Sequence, residues 1–182
     1  MSDLPEFRKL GETPIYTGHA IDVVTADFEA PNGEVITRDV VKHQGAVSVV
    51  PIIGDEVVLV RQFRAACETW LLEIPAGKRD VAGEPPEETA KRELIEEVGL
   101  KADNVTELAQ FYNAVGFCNE YSFVYLAQDP VEVPTNHDGV EEEFMLVERY
   151  RLDDVRDMIA TQQITDSKTI IGLLLTLAHL GK

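Results

Sequence analysis

Positive charge is scarce in this chain. Its 182 residues carry 16 Lys and Arg against 33 Asp and Glu, a net charge of −17. A surface of that sign repels nucleic acid and anionic membrane, so neither is an expected partner. It also repels phosphorylated small molecules, so a phosphate-bearing substrate would need a local positive centre, either a metal ion or a few placed arginines. Cysteine is scarce as well. Cys67 and Cys118 are the only two; they form no CxxC pair and no zinc spacing, and are expected to be reduced, part-buried thiols. The histidines, His19, His43, His137 and His179, are scattered without metal-ligand spacing and read as structural or surface residues. No apolar run approaches the roughly 20 residues that span a bilayer. The first residues, MSDLPEFRKLGETP, lack the apolar core of a signal peptide. A cytoplasmic location is the expectation. There is no internal repeat and no low-complexity segment.

Apolar residues make up 45% of the chain, enough for one domain with a real core. Residues 14–45 read as β-structure, with DVVTADFEA and EVITRDVVKH flanking Pro31-Asn32-Gly33, a hairpin signal. AVSVVPII (46–53) and EVVLVRQFR (56–64) are β-rich runs joined at Gly54-Asp55. WLLEIP (70–75) is a further short strand, broken at Pro75-Ala76-Gly77, with Trp70 expected in the core. A loop rich in Gly, Asp and Pro then enters a helix. Pro85 and Pro86 suit its first turn, where no N–H is needed, and Glu87 and Glu88 suit the dipole there. The helix runs to Val98, and Gly99 stops it. Strands are expected at 105–113, 120–127 and 143–150, a short helix at 152–161, and a final helix in DSKTIIGLLLTLAHL from a Thr165 or Asp166 cap. Strands and helices are not evenly interleaved. That argues for an α+β fold, a mixed sheet covered by helices, over a doubly wound parallel sheet.

The central helix carries the chemistry. Ala90, Leu94 and Val98 recur at i, i+4, i+8, one buried stripe. Glu93, Glu96 and Glu97 are neighbours at i, i+3, i+4 on a different face. Three like charges there cost helix stability unless neutralised, and a hard divalent cation does this with carboxylate oxygens. A plain solvated acidic face is the competing reading. Arg92 adjoins the cluster and can hold carboxylates through paired hydrogen bonds. Upstream, a loop opens at Gly77, and a backbone carbonyl from it meeting the carboxylate helix would complete a metal cage.

Residues 77–100, GKRDVAGEPPEETAKRELIEEVGL, resemble the Nudix box, Gly-x5-Glu-x7-Arg-Glu-U-x-Glu-Glu-x-Gly-U with U aliphatic. From Glu84 through Leu100 every specified position matches; six residues rather than five separate Gly77 from Glu84, an insertion of the kind loops tolerate. The flanks TRDVVKHQGAVSVVP, VLVRQFR, LLEIPAGK, GFCNE and DSKTIIGLLL resemble the ADP-ribose pyrophosphatase branch, although Val115 stands where that branch commonly has proline. The resemblance implies an α/β/α sandwich over residues 46–182, preceded by a small antiparallel β subdomain, 1–45, that serves dimerisation and nucleotide contact in a homodimer. It implies Mg²⁺, with Mn²⁺ as a substitute, on Glu93 and Glu97, with Glu96 as a third or water-mediated ligand and the Ala76 carbonyl completing the set. Arg92 would orient the carboxylates and Glu84 support them. Arg38 and Arg64 would lie near the nucleotide, Glu73 would bond the base or ribose, and Phe28 or Tyr16 would stack on adenine. For these residues an ion pair or ordinary strand packing stays open. The segment HDGVEEEF (137–144) would supply the general base, Glu142 before Glu141, with Glu143 starting the next strand. The implied reaction is ADP-ribose + water → AMP + ribose 5-phosphate. Another nucleotide substrate, or a sensor that holds ADP-ribose without cutting it, are the alternatives.

Overall fold

The computed structural model describes residues 4–135 and 143–182. It separates into two compact units: residues to Gly45 together with Tyr112–Tyr121, and Ala46–Phe111 with Ser122–Lys182.

In the first unit, β1 (Arg8–Thr17), β2 (Asp22–Glu29) and β3 (Val35–Lys42) form an antiparallel sheet in that order. The β2–β3 turn is the one marked by Pro31-Asn32-Gly33, and Gly33 takes φ 85° there, which glycine adopts without steric cost. Strand β1 begins earlier than the expected β-region. Its exposure along the whole length leaves no alternation to read. Residues 112–121 join this unit through backbone bonds from Val41 N–H to Phe117 O (2.7 Å) and from Asn119 N–H to Val41 O (3.1 Å).

The second unit is built on a sheet ordered β12-β5-β4-β10-β9, with β6 on β5 and β7 on β4. The strands are β4 (Ala46–Ile53), β5 (Glu56–Arg64), β6 (Thr69–Glu73), β7 (Ala76–Lys78), β9 (Thr106–Tyr112), β10 (Tyr121–Gln128) and β12 (Leu146–Arg151). β4 and β10 run parallel while β4–β5, β5–β6, β4–β7 and β5–β12 are antiparallel, so the sheet is mixed. Short β8 (Leu100–Lys101) and β11 (Val131–Glu132) pair separately. The apolar runs of β4 and β5 are continuous because both faces are covered. Val50, Ile52, Val57, Leu59, Val124 and Leu126 point to one side, against α2 (Val155–Ala160) and α3 (Ser167–His179). Val47, Val49, Val58, Val60, Tyr125 and Ala127 point to the other, against α1 (Pro86–Val98). The expected α+β sandwich of a mixed sheet between helices is what forms.

Local details differ from expectation. The strand expected from 143 begins at Leu146. The expected helix at 152–161 divides into a 3₁₀ turn, Leu152–Asp154, and α2. The chain resumes as β7 at Ala76 immediately after the proline break. Trp70 is not core: it is 48% exposed, because β6 has only β5 as a neighbour and Trp70 sits opposite Phe63, their rings edge-to-face at 6.0 Å. Cys67 is exposed and Cys118 half-buried.

Candidate active site

Helix α1 starts on Pro86 and ends where Gly99, at φ 62°, donates its N–H to Ile95 and Leu94. Ala90, Leu94 and Val98 are buried as the stripe predicts. The acidic face next to them is not a solvated one. Glu93 is 9% exposed and Glu97 6%, since β7 lies against it. Ala76 pairs with Ser48 and Gly77 with Val47, which carries the strand over α1. There the Ala76 N–H donates to Glu97 Oε2 at 2.9 Å. A Cβ built on Gly77 would fall 1.9–2.3 Å from the carboxylate atoms of Glu93. The box glycine is therefore required by a close approach, with no demand for a left-handed backbone.

Arg92 is the cation of the cluster. Its Nη1 lies 2.8 Å from both Glu93 and Glu96, and its Nη2 3.4 Å from Glu84 and 3.8 Å from Asp80. Glu84 also accepts from the buried Thr89 hydroxyl at 2.8 Å. Burial pushes the Glu93 carboxyl up to about 7; Arg92 opposes this, and the charges of Glu96 and Asp80 add to it. Burial works against the Arg92 charge, but Glu93, Glu84 and Glu96 together hold its guanidinium above the usual range.

Among the described residues, no three Asp, Glu, His or Cys side chains are already converged for a metal ion. The reason is visible in the hydrogen bonds: Arg92 draws Glu93 and Glu96 to itself, while the backbone at Ala76 holds Glu97. The donor set nevertheless fits a hard divalent cation in kind. It offers carboxylate oxygens, more buried negative charge than one guanidinium neutralises, and an approach kept clear of any Cβ at Gly77. At Ala76 the backbone N–H already reaches this cluster through Glu97.

Arg64 and Glu73 lie together, the carboxylate buried and the guanidinium partly exposed. Arg64 Nε and Nη2 each donate to Glu73 at 2.7 Å, and Lys168 Nζ donates to the same carboxylate. Burial raises the Glu73 carboxyl, yet Arg64 and Lys168 outweigh it and hold it below the usual range. Glu73 is wholly buried and forms this triad with the part-exposed Arg64 and with Lys168. Lys168 carries no periodicity signal. Only the resemblance of the run DSKTIIGLLL to the ADP-ribose pyrophosphatase branch marks its place.

In the first unit, Phe28 and Arg38 line a cleft of about 460 Å³ with Tyr112, Val115, Phe117 and Asn119. Arg38 is exposed and bonds the Thr37 carbonyl at 2.8 Å. The Asn119 side chain accepts from the His43 N–H at 2.7 Å, which pins the 114–119 turn to the chain just after β3. Tyr16 is exposed and is not among the residues lining this cleft. Glu141 and Glu142 lie outside the described residues; Glu143 is exposed.

A mixed sheet between helices, with a glycine strand feeding a buried carboxylate cluster on a helix, defines a pyrophosphohydrolase of the Nudix class. The NUDIX domain matches residues 42–170, and the chain belongs to this family. It is 36% identical to an ADP-ribose pyrophosphatase of Bacillus subtilis (strain 168) over 92% of this chain and 91% of that one. It is 35% identical to a methanol dehydrogenase activator of Bacillus methanolicus, over 95% and 94%. A solved structure of an ADP compounds hydrolase superposes with a TM-score of 0.86 at 24% identity, covering 100% of this chain and 97% of that one, which establishes the shared fold.

Proposed function

We propose that this Nudix hydrolase cleaves the pyrophosphate of ADP-ribose to AMP and ribose 5-phosphate with Mg²⁺. The observation that carries the reading is the burial of Glu93 and Glu97 against Gly77, where a Cβ would displace the Glu93 carboxylate. Glu93 and Glu97 would hold the ion, with Glu96 as the third carboxylate and the Ala76 backbone beside them; Mn²⁺ would serve in place of Mg²⁺. When bound, such an ion neutralises diphosphate charge and lowers the pKa of a bound water. Arg92 gathers Glu93 and Glu96 and orients them, and Glu84 fixes Arg92 in turn. Glu142, or else Glu141, takes the proton of the attacking water.

The cleft of the first unit has the volume of a small-molecule site. Phe28 supplies an aromatic face there and Arg38 a donor group, and we assign them to the adenosine end of the substrate. Segment 1–45 is taken to be the N-terminal subdomain, working within a homodimer in the cytoplasm. Among the described residues no helix is long and apolar enough to cross a membrane. Val115 in the cleft wall favours a second reading, another nucleoside diphosphate sugar. A panel of nucleoside diphosphate derivatives with Mg²⁺, products separated by chromatography, decides. ADP-ribose should be turned over fastest. Equal turnover of the others would remove the specific assignment, and turnover of none would remove the hydrolase reading.

A further inference from the structure

The carboxylate cluster of α1 lies on one side of the sheet, yet its backbone wall is fastened from the other side. Residues 73–77 run from β6 into β7, and α3 grips them at their start. The Asp166 carboxylate caps α3, accepting from the Thr169 N–H at 2.9 Å and from the Thr169 hydroxyl at 2.6 Å. That hydroxyl, wholly buried, accepts in turn from the Ile74 N–H at 3.0 Å. Lys168 bridges Asp166, at 3.0 Å, to the buried Glu73 carboxylate. Gly172 brings the helix so close that a Cβ there would lie 3.0 Å from the Ile74 side chain. Beyond Ile74 the strand is held by Val49 N–H to Pro75 O at 2.9 Å, and then by Ala76 N–H to Glu97.

We infer that Thr169 and Lys168 are positioning residues for the metal site: they set where Ala76 and Gly77 lie, and through them the geometry of Glu97 and Glu93. Two steps of backbone separate the Thr169 bond at Ile74 from the Glu97 bond at Ala76, and a strand paired on both counts transmits a displacement with little slack. A hydroxyl that both donates and accepts fixes the strand more tightly than packing does. Replacing it with a methyl leaves the Ile74 N–H without its partner and frees residues 74–76 to shift.

The inference rests on the metal reading above, and the test separates the two. Mn²⁺ binding is titrated by the electron paramagnetic resonance signal of the free ion, on the full chain without substrate, at a temperature where each variant is folded by circular dichroism. Glu97→Gln should weaken binding; if the wild type binds no Mn²⁺, or Glu97→Gln binds it equally well, the metal reading itself fails. Thr169→Val should raise the Mn²⁺ dissociation constant by about tenfold, the scale of losses when an outer support of a ligand is removed. Thr169→Ser, which keeps the hydroxyl, should stay within about threefold of wild type on the same scale. Thr176→Val is the control. It removes another buried hydroxyl of α3, one without a hydrogen-bond partner among the described residues, and should leave Mn²⁺ binding unchanged. Should Thr169→Val not fold, Lys168→Gln tests the second tie: it cuts the link from Asp166 to Glu73, leaves Arg64 on Glu73, and should also weaken Mn²⁺ binding. Folded Thr169→Val or Lys168→Gln protein that binds Mn²⁺ as the wild type does, while Glu97→Gln does not, would overturn the positioning role.

Discussion

Replacing Glu93 by glutamine should make the metal-free protein more stable while ruining it as a hydrolase. The Glu93 carboxyl is raised from 4.5 to about 7. It therefore holds a proton more tightly in the folded chain than in the unfolded one. The stability it contributes is present in full below pH 4.5 and is lost as pH rises through 7. Over that window the loss is about 3 kcal/mol. Glutamine is a neutral isostere that never incurs it. The shift is already net of the attraction to Arg92, and in the variant Arg92 keeps Glu96 and Glu84 as partners. At pH 8 the variant should gain about 3 kcal/mol, equivalent to a Tm rise of ~6–12 °C for a chain of this length. At pH 5, where the wild-type carboxyl is already protonated when folded, the gain should shrink to about 1 kcal/mol. Thermal melts in EDTA at the two pH values measure both. A Glu93→Gln protein that melts at or below the wild-type temperature at pH 8 would refute the claim that this buried carboxylate lacks adequate compensation without a metal.

Gly77→Ala should leave folding nearly intact, since the atoms its Cβ meets are the far end of the Glu93 side chain. We expect a loss of about 1 kcal/mol or less by thermal melt, while hydrolysis falls by on the order of 100-fold in a steady-state assay; a normal rate would mean that Glu93 is not where the ion sits. Gly99→Ala meets a backbone carbonyl instead, Val133 O at 2.7 Å, at a φ of 62°, so urea unfolding should show a loss of about 2 kcal/mol. Arg92→Lys cannot reproduce the guanidinium fork across Glu93, Glu96 and Glu84; kcat should drop with the chain still folded, and a wild-type kcat would argue against an orienting role. Trp70→Ala, at an exposed strand end, should cost under about 1 kcal/mol by melt.

The box region was legible because its signals are local. The stripe of Ala90, Leu94 and Val98, the Pro86 start and the Gly99 stop all act within one helix, and the observed bounds of α1 follow them. The β-rich runs at 46–53 and 56–64 likewise announced strands β4 and β5. The setting of Glu73 was only partly legible, because one of its two cationic partners, Arg64, is nine residues away, while the other, Lys168, is 95 residues later. The burial of Glu93 and Glu97 was only half legible. Spacing brings the carboxylates together, but their exclusion from solvent depends on β7, three residues long and without any period to read. Trp70 misled for the opposite reason: a large aromatic in an apolar run implies a core only if another layer covers that end of the strand.

The bond from the Ile74 N–H to Thr169 spans 95 positions, and this has a bearing on time as well as place. A chain emerging from the ribosome can complete α1 and the sheet hairpins before residue 169 exists, since synthesis proceeds at about 5–20 residues per second and structure forms from the N-terminal side. The strand beside the carboxylates acquires its second anchor only after α3 has been made and has docked. On the positioning role inferred above for Thr169, ion capture would come late in maturation, and the onset of Mn²⁺ binding would mark the moment at which a newly made molecule has finished folding.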